Sequence, residues 1–107
     1  MRIVRTLLFD RSLKKLGATA GDLEKLEAQI AANPTGGDVI QGLSGARKAR
    51  FPMAGRGKSG GGRAIYVLVV KADIAYLLLA YSKKDQGDLS VAQRRTLAEL
   101  VKELTRG

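Results

Sequence analysis

The chain has no cysteine, no histidine and no tryptophan, only two prolines, and about half as many acidic residues as basic ones. Each shortage excludes something. Without cysteine there is no disulfide framework and no thiol nucleophile. With histidine also missing, zinc fingers and imidazole acid–base catalysis are excluded together. Only carboxylates could hold a metal, and the 10 Asp and Glu are too scattered to form a site. No metal and no cofactor are expected. Long apolar runs are also scarce. Leu7-Leu8-Phe9 stops at Asp10, short of the ~7–15 residues of an export-signal core. Ala64 to Tyr81 is strongly apolar, but Lys71-Ala72-Asp73 splits it where a spanning helix would meet hydrocarbon. Two buried strands joined by a turn explain the same residues, and a cytoplasmic protein with no membrane partner is expected.

What is present suits one domain over residues 1–107. The hydrophobic fraction is 45%, enough for a core in a chain of this length. The formal charge is +9, and it is unevenly spread. No acidic residue lies between Asp38 and Asp73, while Arg47, Lys48, Arg50, Arg56, Lys58, Arg63 and Lys71 all do. A field of that sign attracts a polyanion, either nucleic acid or an acidic protein. Nine of the 13 glycines lie between Gly36 and Gly62. Gly60-Gly61-Gly62 precedes an apolar strand, where glycine lets another group approach the backbone closely. Two nucleotide-binding patterns in this stretch fail. Gly57-Lys58-Ser59 resembles the end of a phosphate-binding loop, but Pro52 stands where its first glycine belongs. Gly55, Gly57 and Gly60 spell G-x-G-x-x-G without the strand before and the helix after that a dinucleotide site needs.

Hydrophobic spacing predicts a strand over Ile3–Leu8, a short helix from about Asp10 to Leu16 stopped by Gly17, and a second helix capped by Thr19 or Asp22. Leu23, Leu26 and Ile30 form that helix's apolar stripe, and Asn33-Pro34 ends it. Asp38 to Gly45 reads as irregular. Ala46–Phe51 is a strand with Arg47 and Ala49 on one face and Lys48 and Arg50 on the other. Arg63–Val70 and Ile74–Ser82 form an antiparallel hairpin. Ser90-Val91-Ala92-Gln93 is a capping box opening a last helix, with Val91, Leu97, Leu100, Val101 and Leu104 on its apolar side. The order is β-α-α-β-β-β-α. It describes a compact α+β domain with a small, mostly antiparallel twisted sheet packed by helices.

Gly37-Asp38-Val39-Ile40-Gln41-Gly42 followed by Ala46-Arg47-Lys48-Ala49-Arg50 resembles the middle of RelE/HigB-type toxins. Gly60 through Tyr66, Leu79 through Asp85 and Asp88 through Gln93 continue the resemblance in the same order. It implies the same β-α-α-β-β-β-α fold and the toxin half of a type II toxin–antitoxin pair. It further implies a ribosome-dependent endoribonuclease that cuts messenger RNA, with a cognate, DNA-binding and adjacently encoded antitoxin and the ribosome as partners. The ParE relatives share the scaffold and poison gyrase instead, and a non-catalytic nucleic-acid-binding module is a third reading.

By that resemblance Arg47, Lys48 and Arg50 correspond to the cations of the second strand, and Arg63 to the arginine after the glycine run. The basic residue ending the last strand falls on Lys83 or Lys84. Arg56 and Lys58 add phosphate contacts from the loop. Some RelE-type enzymes use a tyrosine or histidine near the C-terminus, and this chain has neither beyond Tyr81. The general base is thus unassigned. Metal-independent cleavage by 2′-hydroxyl attack needs fixed positive donors for the phosphorane, which arginine and lysine supply. If the hairpin turns about Ala72, Arg63 faces Tyr81, with Lys83 on the same side. Catalytic candidates are therefore Arg63, Lys84, Lys83 and Tyr81.

Overall fold

The apolar segment in the second half of the chain folds back on itself. Gly62–Val69 (β4) and Ile74–Ser82 (β5) pair antiparallel through a short 3-10 turn over Val70–Ala72. Asp73 closes that turn in the left-handed region, at φ 55°. The computed structural model describes residues 1–53 and 61–106. Around the hairpin lie Arg2–Arg5 (β1), Leu7–Leu16 (α1), Ala20–Ala32 (α2), Asp38–Val39 (β2), Arg47–Phe51 (β3) and Val91–Thr105 (α3). The strands form one mixed sheet in the order β1-β5-β4-β3-β2. Only β1 runs parallel to its neighbour, β5. The α+β class holds, and the two apolar strands occupy interior positions as their two-sided hydrophobicity requires.

Three local expectations are corrected. The first strand ends at Arg5, and Leu7-Leu8-Phe9 is the first turn of α1. Thr6 decides this: its hydroxyl accepts from the Phe9 amide at 3.1 Å and donates to the Leu77 carbonyl at 2.8 Å. The stretch read as irregular contains β2, whose Asp38 and Val39 pair with Lys48 and Arg47. Val91 faces solvent, 71% exposed, because the cap at Ser90 fixes the helix phase so that Leu97 and Val101 point inward. Other signals hold. Thr19 caps α2 reciprocally with Asp22, Ser90 caps α3 with Gln93, and Gly17 stops α1 at φ 80°.

Both faces of the sheet are covered. On one, Phe9, Leu26 and Ile30 of the first two helices pack on Ala49, Phe51, Ala64, Tyr66 and Leu77. On the other, Leu97 and Val101 of α3 pack on Ile65, Val67, Leu78, Leu79 and Tyr81. An irregularity between Ile65 and Tyr66 sets Ile65 opposite Leu79 but Tyr66 opposite Leu77. The extra residue, Leu78, is a bulge, and it lets Leu78 and Leu79 join the same side of the core. No helix among the described residues is long and apolar enough to cross a membrane.

Candidate functional site

Side-chain parity sorts the cations of β3. Ala49 and Phe51 are buried under α1 and α2, so Lys48 and Arg50 project to the opposite face. Arg50 lies directly across from Arg63 of β4, and Arg63 from Tyr81 of β5. The sheet thus carries a row of Arg50, Arg63 and Tyr81 at one end. Lys83 follows just past β5, its amide donating to the Gly61 carbonyl at 3.3 Å. Asp38, Lys48, Arg50, Arg63, Lys83 and Gly87 line a cleft of about 160 Å³. That volume equals about five waters at ~30 Å³ each, the size of a phosphate group with room for an attacking oxygen.

Like charges set opposite each other in a sheet cost stability. Among the described residues no ion pair engages Arg50, Arg63 or Lys83. Lys48 alone has a counter-ion, Asp88 at 3.9 Å. The Asp88 carboxyl is held below the usual range, first by the Leu89 amide donating to it at 2.7 Å and then by Lys48. Four cations against the one carboxylate in the lining leave the cleft net positive, a field that favours an anion.

The glycine before Arg63 has a packing reason. A Cβ on Gly62 would stand 2.5 Å from the Phe51 ring, so only glycine lets that ring close the core beneath the cleft. This is the close approach expected of the glycine run, and the approaching group is an aromatic side chain.

The remaining candidates separate. Arg47 points to the other face and donates to the Thr35 and Gly37 carbonyls at 3.0 and 2.9 Å, pinning the turn after α2. Lys84 is exposed and does not line the cleft; its amide donates to the Ser82 hydroxyl at 3.2 Å. Tyr81 faces Arg63 but is 5% exposed and packs in the core with Leu89. Its hydroxyl has no hydrogen-bond partner among the described residues. Burial, and then Asp88, push the phenol above its ordinary pKa of 10.0, against Arg63 and Arg94, so it is protonated at neutral pH. Arg56 and Lys58 lie outside the described residues. Sequence reasoning missed Asp38 and Asp88, the two acids at the cleft. Asp38 pairs across from Lys48 only because β2 forms, and Asp88 arrives through the turn before α3. Among the described residues no cluster of three acidic side chains could hold a metal.

A family model for the RelE toxin of the RelE/RelB toxin–antitoxin system matches residues 1–106. The chain belongs to the RelE family. It is a RelE-type toxin of a toxin–antitoxin system, and an antitoxin is its partner. The fold is similar to that of a double arginine-to-alanine mutant of E. coli toxin RelE in the free state. The two are 12% identical, with a TM-score of 0.57 over 92% of this chain and 94% of that one. At that identity the likeness concerns the fold. The RelE assignment of this chain rests on the family match.

Proposed function

We propose that this RelE-type toxin is a ribosome-dependent endoribonuclease that cuts messenger RNA during translation in the cytoplasm. The observation that carries the reading is the cleft itself, with Lys48, Arg50, Arg63 and Lys83 around a phosphate-sized space. Cleavage by 2′-hydroxyl attack forms a bond from the 2′-oxygen to phosphorus, the hydroxyl proton passing to solvent, and breaks the bond to the 5′-oxygen, which leaves as a 5′-hydroxyl beside a 2′,3′-cyclic phosphate. The phosphorane in between carries extra negative charge. Fixed guanidinium and ammonium donors stabilise it more than the ground state, which is what lowers a barrier. In this reading Arg63 and Arg50, paired across two strands, serve the non-bridging oxygens, and Lys83 donates the proton to the departing 5′-oxygen. Among the described residues the cleft lining holds one carboxylate, Asp38, and Asp88, beside Lys48, is a weak base with its pKa depressed. Catalysis therefore leans on charge stabilisation and on alignment of the 2′-hydroxyl, which a messenger held in the decoding site supplies.

Mapping transcript ends after brief induction tests this, with and without an inhibitor of translation. Cuts within translated codons that vanish when translation stops support the reading; an intact transcriptome in a growth-arrested culture overturns it. Binding should also depend steeply on salt. Each single-strand phosphate contact contributes a slope of about 0.7. Four contacts at the cleft cations would lose on the order of several hundredfold over a tenfold salt rise.

A further inference from the structure

A second and larger cavity, about 310 Å³, lies on the opposite side of β3 from the cleft. The two share a wall, since Asp38, Lys48 and Arg50 line both. Its lining is mixed: buried Ile30, Ala49 and Tyr66 contribute apolar surface, and exposed Gln29 and Asn33 bring side-chain amides. The volume sits at the lower end of the ~300–1,000 Å³ usual for small-ligand pockets.

This cavity is held open by specific bonds. The Tyr66 hydroxyl donates to the Pro34 carbonyl at 2.7 Å and accepts from the Gly37 amide at 3.1 Å. Arg47 fastens the same turn through the Thr35 and Gly37 carbonyls. Because β2 stops at Asp38, opposite Lys48, no strand among the described residues pairs with the outer side of Arg50. The Gln29 amide nitrogen donates to the Arg50 carbonyl at 2.7 Å instead, which ties this lining residue to the strand edge. A cavity that combines apolar lining from Ile30, Ala49 and Tyr66 with side-chain amides at Gln29 and Asn33 offers a heteroaromatic base contact for its ring and partners for its polar edge.

We propose that this cavity seats the base of a nucleotide flanking the scissile phosphate, so that the RNA strand crosses the short outer edge of β3 with its phosphate in the cationic cleft. The inference rests on the reading of that cleft as the phosphate seat. It gives Arg47 a positioning role, since Arg47 fastens the turn that carries Gly36 and Gly37 of the lining, and it makes the protein itself discriminate among bases.

The test is amide chemical-shift mapping of the intact protein with inorganic phosphate and, separately, with the four ribonucleoside monophosphates. Phosphate should move Lys48, Arg50, Arg63 and Lys83 alone. At least one nucleotide should also move Gly36, Gly37 and Ala49, and bind about tenfold tighter than phosphate, equivalent to about 1.4 kcal/mol. Gln29 is exposed on α2, so Gln29→Trp fills the cavity without disturbing the core. It should abolish the second set of shifts and the tenfold gain while keeping the first set. If all four nucleotides merely reproduce the phosphate pattern, the base site is overturned and the phosphate cleft stands. If nucleotides move Gly36, Gly37 and Ala49 but nothing moves Arg63 or Lys83, the cavity binds bases and the cleft reading fails. Silence at both sites overturns both.

Discussion

The two faces of the β3–β4 pair use the same strands to opposite ends. On one, Ala49, Phe51, Ala64 and Tyr66 lie under α1 and α2, and the cover extends to Gly62 and Met53 at the strand ends. On the other, α3 covers only the middle, through Leu97 and Val101 over Ile65 and Val67. Past Ile65 that face runs out of helix, and there Arg50 and Arg63 stand opposite each other. The charge cluster is thus created by incomplete cover. Alternation along the strand decides which residues leave the core, and the position of α3 decides whether they meet water or protein.

The largest effect is expected from damage to the sealed face. Phe51, 2% exposed and seated on Gly62, should cost ~3–5 kcal/mol on change to alanine. Domains have only about 5–15 kcal/mol in hand. A urea titration should show a large drop in midpoint, with toxicity lost alongside the fold. The open face should respond the other way. Arg63→Ala removes one member of a like-charge pair, so the melting temperature should hold, within about 0.5 kcal/mol of stability. Cleavage should fall about a hundred- to thousandfold. A folded Arg63→Ala protein that cuts at the wild-type rate would show that the open face is not the site.

These two variants also mark how far the sequence could be read. The acid-free stretch and the alternation of Arg47-Lys48-Ala49-Arg50 already separate core from cleft. The Arg63–Tyr81 register follows from turning the hairpin at Ala72, and it holds at the cleft end. The bulge at Leu78 could not be read, because an extra residue in a strand apolar on both faces leaves no mark in the pattern. Nor could the start of α1: Leu7-Leu8-Phe9 suits a strand, and only the Thr6 cap, joined to a carbonyl 71 positions away, turns it into helix. The acids at the cleft were hidden for a similar reason. Asp88 is far from Lys48 in sequence and meets it only through the turn before α3.

A smaller contrast lies within one dipeptide. Lys83 lines the cleft and Lys84 does not. Lys83→Ala should lower the salt slope of RNA binding by about 0.7, one phosphate contact, while Lys84→Ala should leave it unchanged. Equal slopes would move the boundary of the site outward.

The smallest stability change is expected at Tyr81, which belongs to both regions. Its hydroxyl is buried and unpartnered among the described residues, so Tyr81→Phe should be neutral or slightly stabilising at pH 7. The phenol's pKa is raised in the folded protein, so the native state holds its proton longer than the unfolded chain. Its contribution is complete below pH 10 and is lost as pH rises through the raised value. Tyr81→Phe should flatten that alkaline decline in a pH series of thermal melts. Loss of cleavage by a fully folded Tyr81→Phe protein would give the phenol a chemical role beneath the turn that covers it.

The parallel pairing of β1 with β5 has a consequence for the order in which the protein can be made. Arg2–Arg5 has no partner until Ile74–Leu77 has been synthesised, and Thr6 waits for the same segment to fix the start of α1. Domains tend to fold from the N-terminus as they emerge, but this sheet cannot close that way, and such distant pairings form slowly. The cleft needs Lys83 and Gly87 as well. A nascent chain short of that point lacks the last wall of the cleft, so the site is assembled only after Gly87 has been made, well after α1 and α2.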